Sequence, residues 1–249
     1  MMTGINLKSE LRRSSTMTDE KKLAKIADIM NDIPLFRAID RRSLFQLIQS
    51  SDYRVYLPGE LIEGDTPCLP VILSGKAAAY GKSPDRSGVM LRLLGAGSVF
   101  GVSYLFNDGD GTAISTVRAE SETEALLIPQ NAISELIHRD GDFAERYIRL
   151  LGGKIRFLGG RIEAFTAGSA ELKLAWYLIN LDGGAEDCDG GAEILLESSI
   201  SRLADMLSIG RASLYRALGS LEQKGFITHS ERHITIKDRA ALRHWLNGQ

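Results

Sequence analysis

The sequence predicts an α+β chain in which a β-roll of the jelly-roll kind (a double-stranded β-helix) is followed by one long helix and then by a winged helix-turn-helix. Three observations carry that order. Between Asp52 and Ile128, short β-prone runs alternate with turn signals. From about Gly141 to Phe165, apolar residues recur at alternating three- and four-residue steps. From Ser198 to Ile227, the segment SSISRLADMLSIGRASLYRALGSLEQKGFI reads as two short helices joined by a tight turn.

The 249 residues have room for two modest domains, each with its own core. The expected boundaries are a disordered tail over 1–18, the roll over 19–140, a long helix with a hinge over 141–167, and the helix-turn-helix unit over 168–249. No apolar run reaches the length of a membrane span. The first twenty residues lack the apolar core of a signal peptide, so a cytoplasmic protein with no membrane partner is expected. Cys68 and Cys188 fit no metal or redox spacing, and a reduced compartment suits them. The net charge of −2 hides an asymmetry. Ser199–Gln249 holds eight Lys and Arg against four Asp and Glu, whereas Gly168–Ser198 holds one Lys against seven acids. A locally basic unit suits phosphate contact even on a chain of acidic average.

Taken in order, Asp19–Ser51 has helical periodicity through Leu23, Ile26, Ala27 and Met30, then through Leu44, Leu47 and Ile48 after a cap at Asp40. The strand candidates are Arg54–Leu57, Val71–Leu73, Val89–Leu94, Ile114–Val117 and Ala125–Ile128. They are separated by Pro58-Gly59, Ser74-Gly75, the Lys82–Gly88 loop, Gly95–Gly97 and Asn107–Gly111. Pro129 opens a helix through Ile133, Leu136 and Ile137.

In the long helix that follows, Ile148, Leu151, Ile155, Leu158, Ile162 and Phe165 form an a/d heptad stripe, the pattern of a coiled coil between two subunits. The bland alternative is one helix docked on its own domain. Leu-Gly-Gly-Lys-Ile (151–155) recurs as Leu-Gly-Gly-Arg-Ile (158–162). Glycine in a helix interior is costly, so something is expected to pack closely there, either the β-domain or a ligand; the bland alternative is a locally weak helix.

Phe165–Gly168 breaks the pattern as a hinge, and Ser169 caps the next helix. A strand at Ile194–Leu196 precedes the helix pair. Phe226–Thr228 and His233–Ile236 read as the wing, and Asp238 starts the last helix.

Within the helix pair, Leu203, Ala204 and Leu207 face inward, Ser208-Ile209-Gly210 makes the turn, and Leu214, Leu218 and Leu221 form the buried stripe of the second helix. Arg211, Ser213 and Arg216 lie on the other face, which is shaped for a DNA major groove. Arg pairs with guanine O6 and N7. Ser199 both caps the first helix and meets a phosphate, and Arg232 in the wing is a phosphate candidate. Double-stranded DNA is the expected partner.

Roll, long helix, hinge and winged helix-turn-helix, in that order, resemble the CRP/FNR family of bacterial transcription regulators. The resemblance runs from Ile33 onward through Ile33-Pro34-Leu35-Phe36, Pro58-Gly59-Glu60, Leu73-Ser74-Gly75-Lys76, Gly97-Ser98-Val99-Phe100-Gly101 and Val117-Arg118-Ala119. It implies a homodimer on a palindromic operator, a small effector between roll and long helix, and RNA polymerase as a further partner if the protein activates. The effector pocket it implies comprises Gly101, Val102, Ser103, Ala113, Ile114, Leu158 and Gly159.

The departures are informative. Cyclic-AMP-binding members hold the ribose with a Glu where this chain has Val102, and the phosphate with an Arg-Ser pair where it has Ala113-Ile114. The polar residues meeting the base correspond to Leu158 and Gly159. An effector other than a cyclic nucleotide is therefore expected, small and apolar or aromatic, if there is one at all. The family's Glu after the first Arg of the recognition helix is Ala212 here. No cysteine cluster for iron–sulfur binding is present, and His138 and Cys68 are read as structural.

No cofactor, metal site or catalytic residue is expected, since a cupin-like enzyme would need histidines between Asp52 and Ile128. Two other readings stay open. One is a ligand-sensing subunit that acts through a protein partner. The other is a genuine cyclic-AMP-responsive regulator.

Overall fold

The computed structural model describes residues 20–81, 90–106, 115–166, 168–180, 192–195, 200–230 and 233–248. The chain divides into two compact units, Met1–Gly153 and Lys154–Gln249, and the division falls inside the long helix.

The first unit opens with α1 (Glu20–Asp32) and α2 (Arg41–Gln49). The Asp40 carboxylate accepts the Ser43 N–H at 3.0 Å and satisfies one of the open donors of α2. Strands β1 (Asp52–Tyr56), β2 (Cys68–Ser74) and β6 (Thr123–Pro129) form an antiparallel sheet in the order β1-β6-β2. Strands β3 (Ala77–Gly81), β4 (Met90–Leu94) and β5 (Ser115–Ala119) form a second, in the order β4-β3-β5. The short α3 (Val102–Leu105) lies between β4 and β5, and α4 (Gln130–Arg139) follows β6 directly.

Alternation along the strands produces two cores. One face of the β1-β6-β2 sheet (Leu69, Val71, Leu73, Leu126, Ile128) packs with Met30, Phe36, Ile48, Ile133, Phe143 and Tyr147 from the helices and the loop after α1. Residues of opposite parity (Tyr56, Ile72, Ala125, Leu127) pack with Ala77, Leu94, Val117 and Ala119 of the second sheet, filling the roll. Gly75 turns β2 into β3 at φ +84°, where a Cβ would lie 2.2 Å from the Glu122 carbonyl oxygen; only glycine fits that turn.

Each strand expected from the sequence has a counterpart, but β3 was not among them. Its Ala77-Ala78-Ala79 run carries little intrinsic strand preference. It pairs with both β4 and β5, and the small side chains suit a central strand whose Ala77 and Ala78 are fully buried.

The helix α5 spans Gly141–Thr166 without interruption. In the second unit follow α6 (Ala170–Asn180), β7 (Ala192–Leu195), α7 (Ile200–Met206), α8 (Arg211–Gln223), β8 (Ile227–Ser230), β9 (His233–Ile236) and α9 (Arg239–Asn247). The wing sheet has the order β7-β9-β8. Ser169 Oγ accepts the Leu172 N–H at 3.3 Å and Asp238 accepts the Ala241 N–H at 2.8 Å, so both expected caps form. Gly168 is required where it stands, because a Cβ there would meet the Ala164 carbonyl oxygen at 2.1 Å.

One glycine of the repeat in α5 has a close neighbour in the second unit. A Cβ on Gly153 or Gly159 would meet nothing within 4 Å, whereas one on Gly160 would lie 3.2 Å from Trp176 Nε1. Within the second unit, the neighbour that comes close is the indole of α6. That indole also packs on Phe157 and Phe165, with ring centroids at 5.0 and 5.8 Å.

Candidate nucleic-acid interface and sensor site

Helix α7 buries Leu203 and Ala204, and Leu207 follows as the chain turns. Ser208 adopts φ 51°, an uncommon left-handed conformation for a residue with a Cβ, and this reverses the chain in four residues. The Ile209 N–H then reaches back to the Ala204 carbonyl at 3.0 Å, and the Gly210 carbonyl accepts the first α8 amide, from Leu214, at 3.0 Å. Ala204 is 1% exposed, and only a small residue permits this close helix crossing.

Leu214, Ala217, Leu218 and Leu221 are buried on one face of α8, while Arg211, Ala212, Tyr215, Arg216 and Gln223 are exposed on the other. Ser213 is half-buried, and its Oγ accepts a hydrogen bond from Arg216 Nη2 at 3.1 Å, which orients the guanidinium. At the far end of α8, Glu222 accepts the His229 backbone N–H at 3.3 Å, tying helix to wing. Lys224 pairs with Glu171 of α6 at 2.6 Å and lies 4.5 Å over the Trp245 ring of α9. The Glu171 carboxyl is held below its usual range, first by the hydrogen bond from Lys224 and then by that from Ser220. The exposed face of α8 is thus mounted on a frame fixed from behind. Ser199 and Arg232, the other two DNA-contact candidates, lie outside the described residues.

Along α5, the expected stripe divides. Ile148, Ile155, Leu158 and Ile162 are 66, 70, 55 and 67% exposed. Leu151 is half-buried against the core of the first unit. Phe165 packs edge-on to Trp176, with Arg161 and Lys173 both within 6 Å of its ring. Burial lowers the pKa of Arg161.

Of the expected pocket residues, Gly101 and Val102 belong to the first unit and Leu158 and Gly159 to the second. Gly101 takes φ 72°, with Pro70 and the Cys68 carbonyl beside it. Val102, the next residue, is buried in the helical core rather than in the roll interior, because the left-handed Gly101 turns α3 toward α5. The side chain of Ser103, and residues Ala113 and Ile114 entirely, lie outside what is described. Leu158 and Gly159 are exposed on α5.

Sequence reading missed the polar groups on the roll's inner face. Arg92 is two residues from inward-facing Leu94 and sits opposite Ala79, so its side chain shares their face. Its Nε is buried. On the other sheet, Arg54 shares the face of Tyr56 and is neutralised by Asp52 at 2.6 Å and Asp65 at 2.8 Å. Burial pushes the Tyr56 hydroxyl up to about 12 and raises the Cys68 thiol. Around them lie the apolar Ile72, Ala77, Leu94, Val117, Ala125 and Leu127, with the buried Thr123 on the same face of β6. Only strand register shows which arginines face inward.

Comparison with known proteins agrees with this architecture. Residues 53–140 match the cyclic nucleotide-binding domain and residues 172–245 the Crp-like helix-turn-helix domain. The chain is 24% identical over 216 residues to the cyclic AMP receptor protein of Thermus thermophilus, covering 86% of this chain and 96% of that protein. Two solved structures share the fold. FixK2 from Bradyrhizobium japonicum matches at TM-score 0.57 and 18% identity, over 78% of this chain and 96% of its own. A CooA variant from Carboxydothermus hydrogenoformans matches at TM-score 0.57 and 18% identity, over 81% and 90%. With both domain matches in this order, the chain belongs to the CRP/FNR family of transcription regulators. Among the described residues, no helix is long and apolar enough to cross a membrane.

Proposed function

We propose that the protein is a homodimer that binds a palindromic operator through α8 of each protomer, under the control of a small molecule held in the β-roll. The observation that carries this reading is the exposed stripe of Ile148, Ile155, Leu158 and Ile162 on α5. Large apolar side chains at heptad a and d positions are not left to water on a stable helix without a partner to cover them. Ile at a with Leu at d favours two parallel strands over three or four. A two-fold pair of helices then presents two copies of α8, whose Arg211 and Arg216 are the base- and phosphate-contacting groups.

The effector is of a kind other than the cyclic nucleotides. Val102 stands where cyclic-AMP-binding members carry Glu, and Ile72, Ala77, Leu94, Val117, Ala125 and Leu127 give the described inner face of the roll a largely apolar lining around Arg54 and Arg92, which suits a mostly apolar molecule. Calorimetry with cyclic AMP tests this; tight binding contradicts it.

A gel shift tests the DNA reading. The wild type shifts genomic fragments with an affinity that falls steeply as salt rises. Arg211→Ala loses about 1–3 kcal/mol for its preferred fragment and little for random DNA. No shift by the wild type with any fragment favours a subunit that acts on a protein partner instead.

A further inference from the structure

The exposed face of α8 carries a feature that phosphate and guanine contacts leave unused. Tyr215 is 56% exposed between Arg211 and Arg216, although a tyrosine on a helix already resting on four buried apolar residues has no packing need to point outward. Long helical side chains lean toward the N-terminus, so the Tyr215 ring covers the turn occupied by Arg211 and Ala212. Ala212 is exposed and contributes one methyl group. Ala212 and Tyr215, three residues apart, therefore form an apolar patch flanked by two arginines. At Gly219, one turn further on the same side, a Cβ would meet nothing within 4 Å, so no packing among the described residues calls for glycine there; its small size leaves the face low enough for close approach of a groove floor.

In the major groove, the apolar group that distinguishes one base from the others is the thymine C5-methyl, and Ala and aromatic side chains are suited to meet it. A carboxylate at position 212 would instead accept from a cytosine amino group. We propose that Ala212 and Tyr215 together read a thymine methyl in each half-site, replacing cytosine recognition at that base with thymine recognition. This rests on the operator reading above.

The test begins with operators selected from a random duplex pool by the full-length wild-type protein. Each thymine of the selected site is then replaced symmetrically by uracil, which removes only the methyl group. The expected result is one thymine per half-site whose replacement weakens binding about fourfold, or about fifteenfold for both half-sites, as for one buried methyl group each. Y215F keeps this discrimination. Y215A binds thymine and uracil sites equally, while its circular dichroism and its affinity for random DNA stay as in the wild type. A212E selects cytosine at the same position.

Uracil replacement without effect at every position, or discrimination that survives in Y215A, overturns the inference and leaves the operator reading standing. A pool that yields no enriched site overturns both.

Discussion

Replacing Ile155 and Ile162 with Ser removes two a-position side chains from the stripe on α5 without touching either core. Both are about two-thirds exposed in the single chain, so most of their area remains to be covered by a partner. Full burial of such a side chain stabilises by about 1.5–3 kcal/mol, so the uncovered share is worth roughly 1–2 kcal/mol each. Two substitutions in each of two protomers then cost about 4–8 kcal/mol of association, a thousandfold or more in dissociation constant. Sedimentation equilibrium is the assay. The wild type is dimeric at micromolar concentration, and the double variant is monomeric there. Thermal unfolding of the variant, measured at concentrations where it is monomeric, shows both units still folded, because neither side chain belongs to a core. A wild type that sediments as a monomer, or a variant as tightly dimeric as the wild type, refutes the reasoning.

Other outcomes follow from the same structure. Leu214→Ala opens a cavity behind α8 at a fully buried site and costs about 2–5 kcal/mol in denaturant unfolding, with DNA binding lost as the helix loosens. Glu171→Gln removes the pair with Lys224. Because the carboxyl is depressed in the folded state, its contribution is present above the unfolded value near 4.3 and is lost as pH falls through the folded value. The variant is therefore less stable than the wild type at pH 7, by about 0.2–1 kcal/mol, and the two converge in acid unfolding curves. In a Cys188→Ser background, Cys68 reacts with maleimide at pH 7.5 more slowly than a free thiol, because burial disfavours its thiolate; labelling at the free-thiol rate contradicts that.

The architecture is legible in the sequence because its strongest signals are local. Heptad spacing, the caps at Asp40, Ser169 and Asp238, and the Leu-Ala pattern of the helix pair each depend on neighbours within a turn or two. What escaped depends on partners distant in the chain. Strand β3 is held by pairing on both edges, which no propensity of Ala-Ala-Ala announces. The fit of Trp176 against Gly160 joins two helices across the hinge region. The inward direction of Arg92 needs the register with Ala79, and the departure of Val102 from the roll needs the left-handed turn at Gly101. Tyr215 does not stand out in the sequence, because Leu214 and Leu218 beside it mark the helix by its apolar stripe; its exposure shows only once the helix is packed. Ser213 reads as a DNA contact in sequence, and the structure adds that its hydroxyl accepts from Arg216, a pairing that one helical turn of sequence does not announce.

The central claim is that two copies of α8 read DNA together, held at a fixed separation by paired α5 helices. Hydroxyl-radical footprinting of the full-length protein on its selected operator tests it most directly. Two equivalent protected patches related by two-fold symmetry are expected, with half-sites about one helical turn (roughly 34 Å) apart, and their joint loss in the Ile155→Ser/Ile162→Ser variant. A single asymmetric patch, or a symmetric footprint unchanged in that variant, contradicts it.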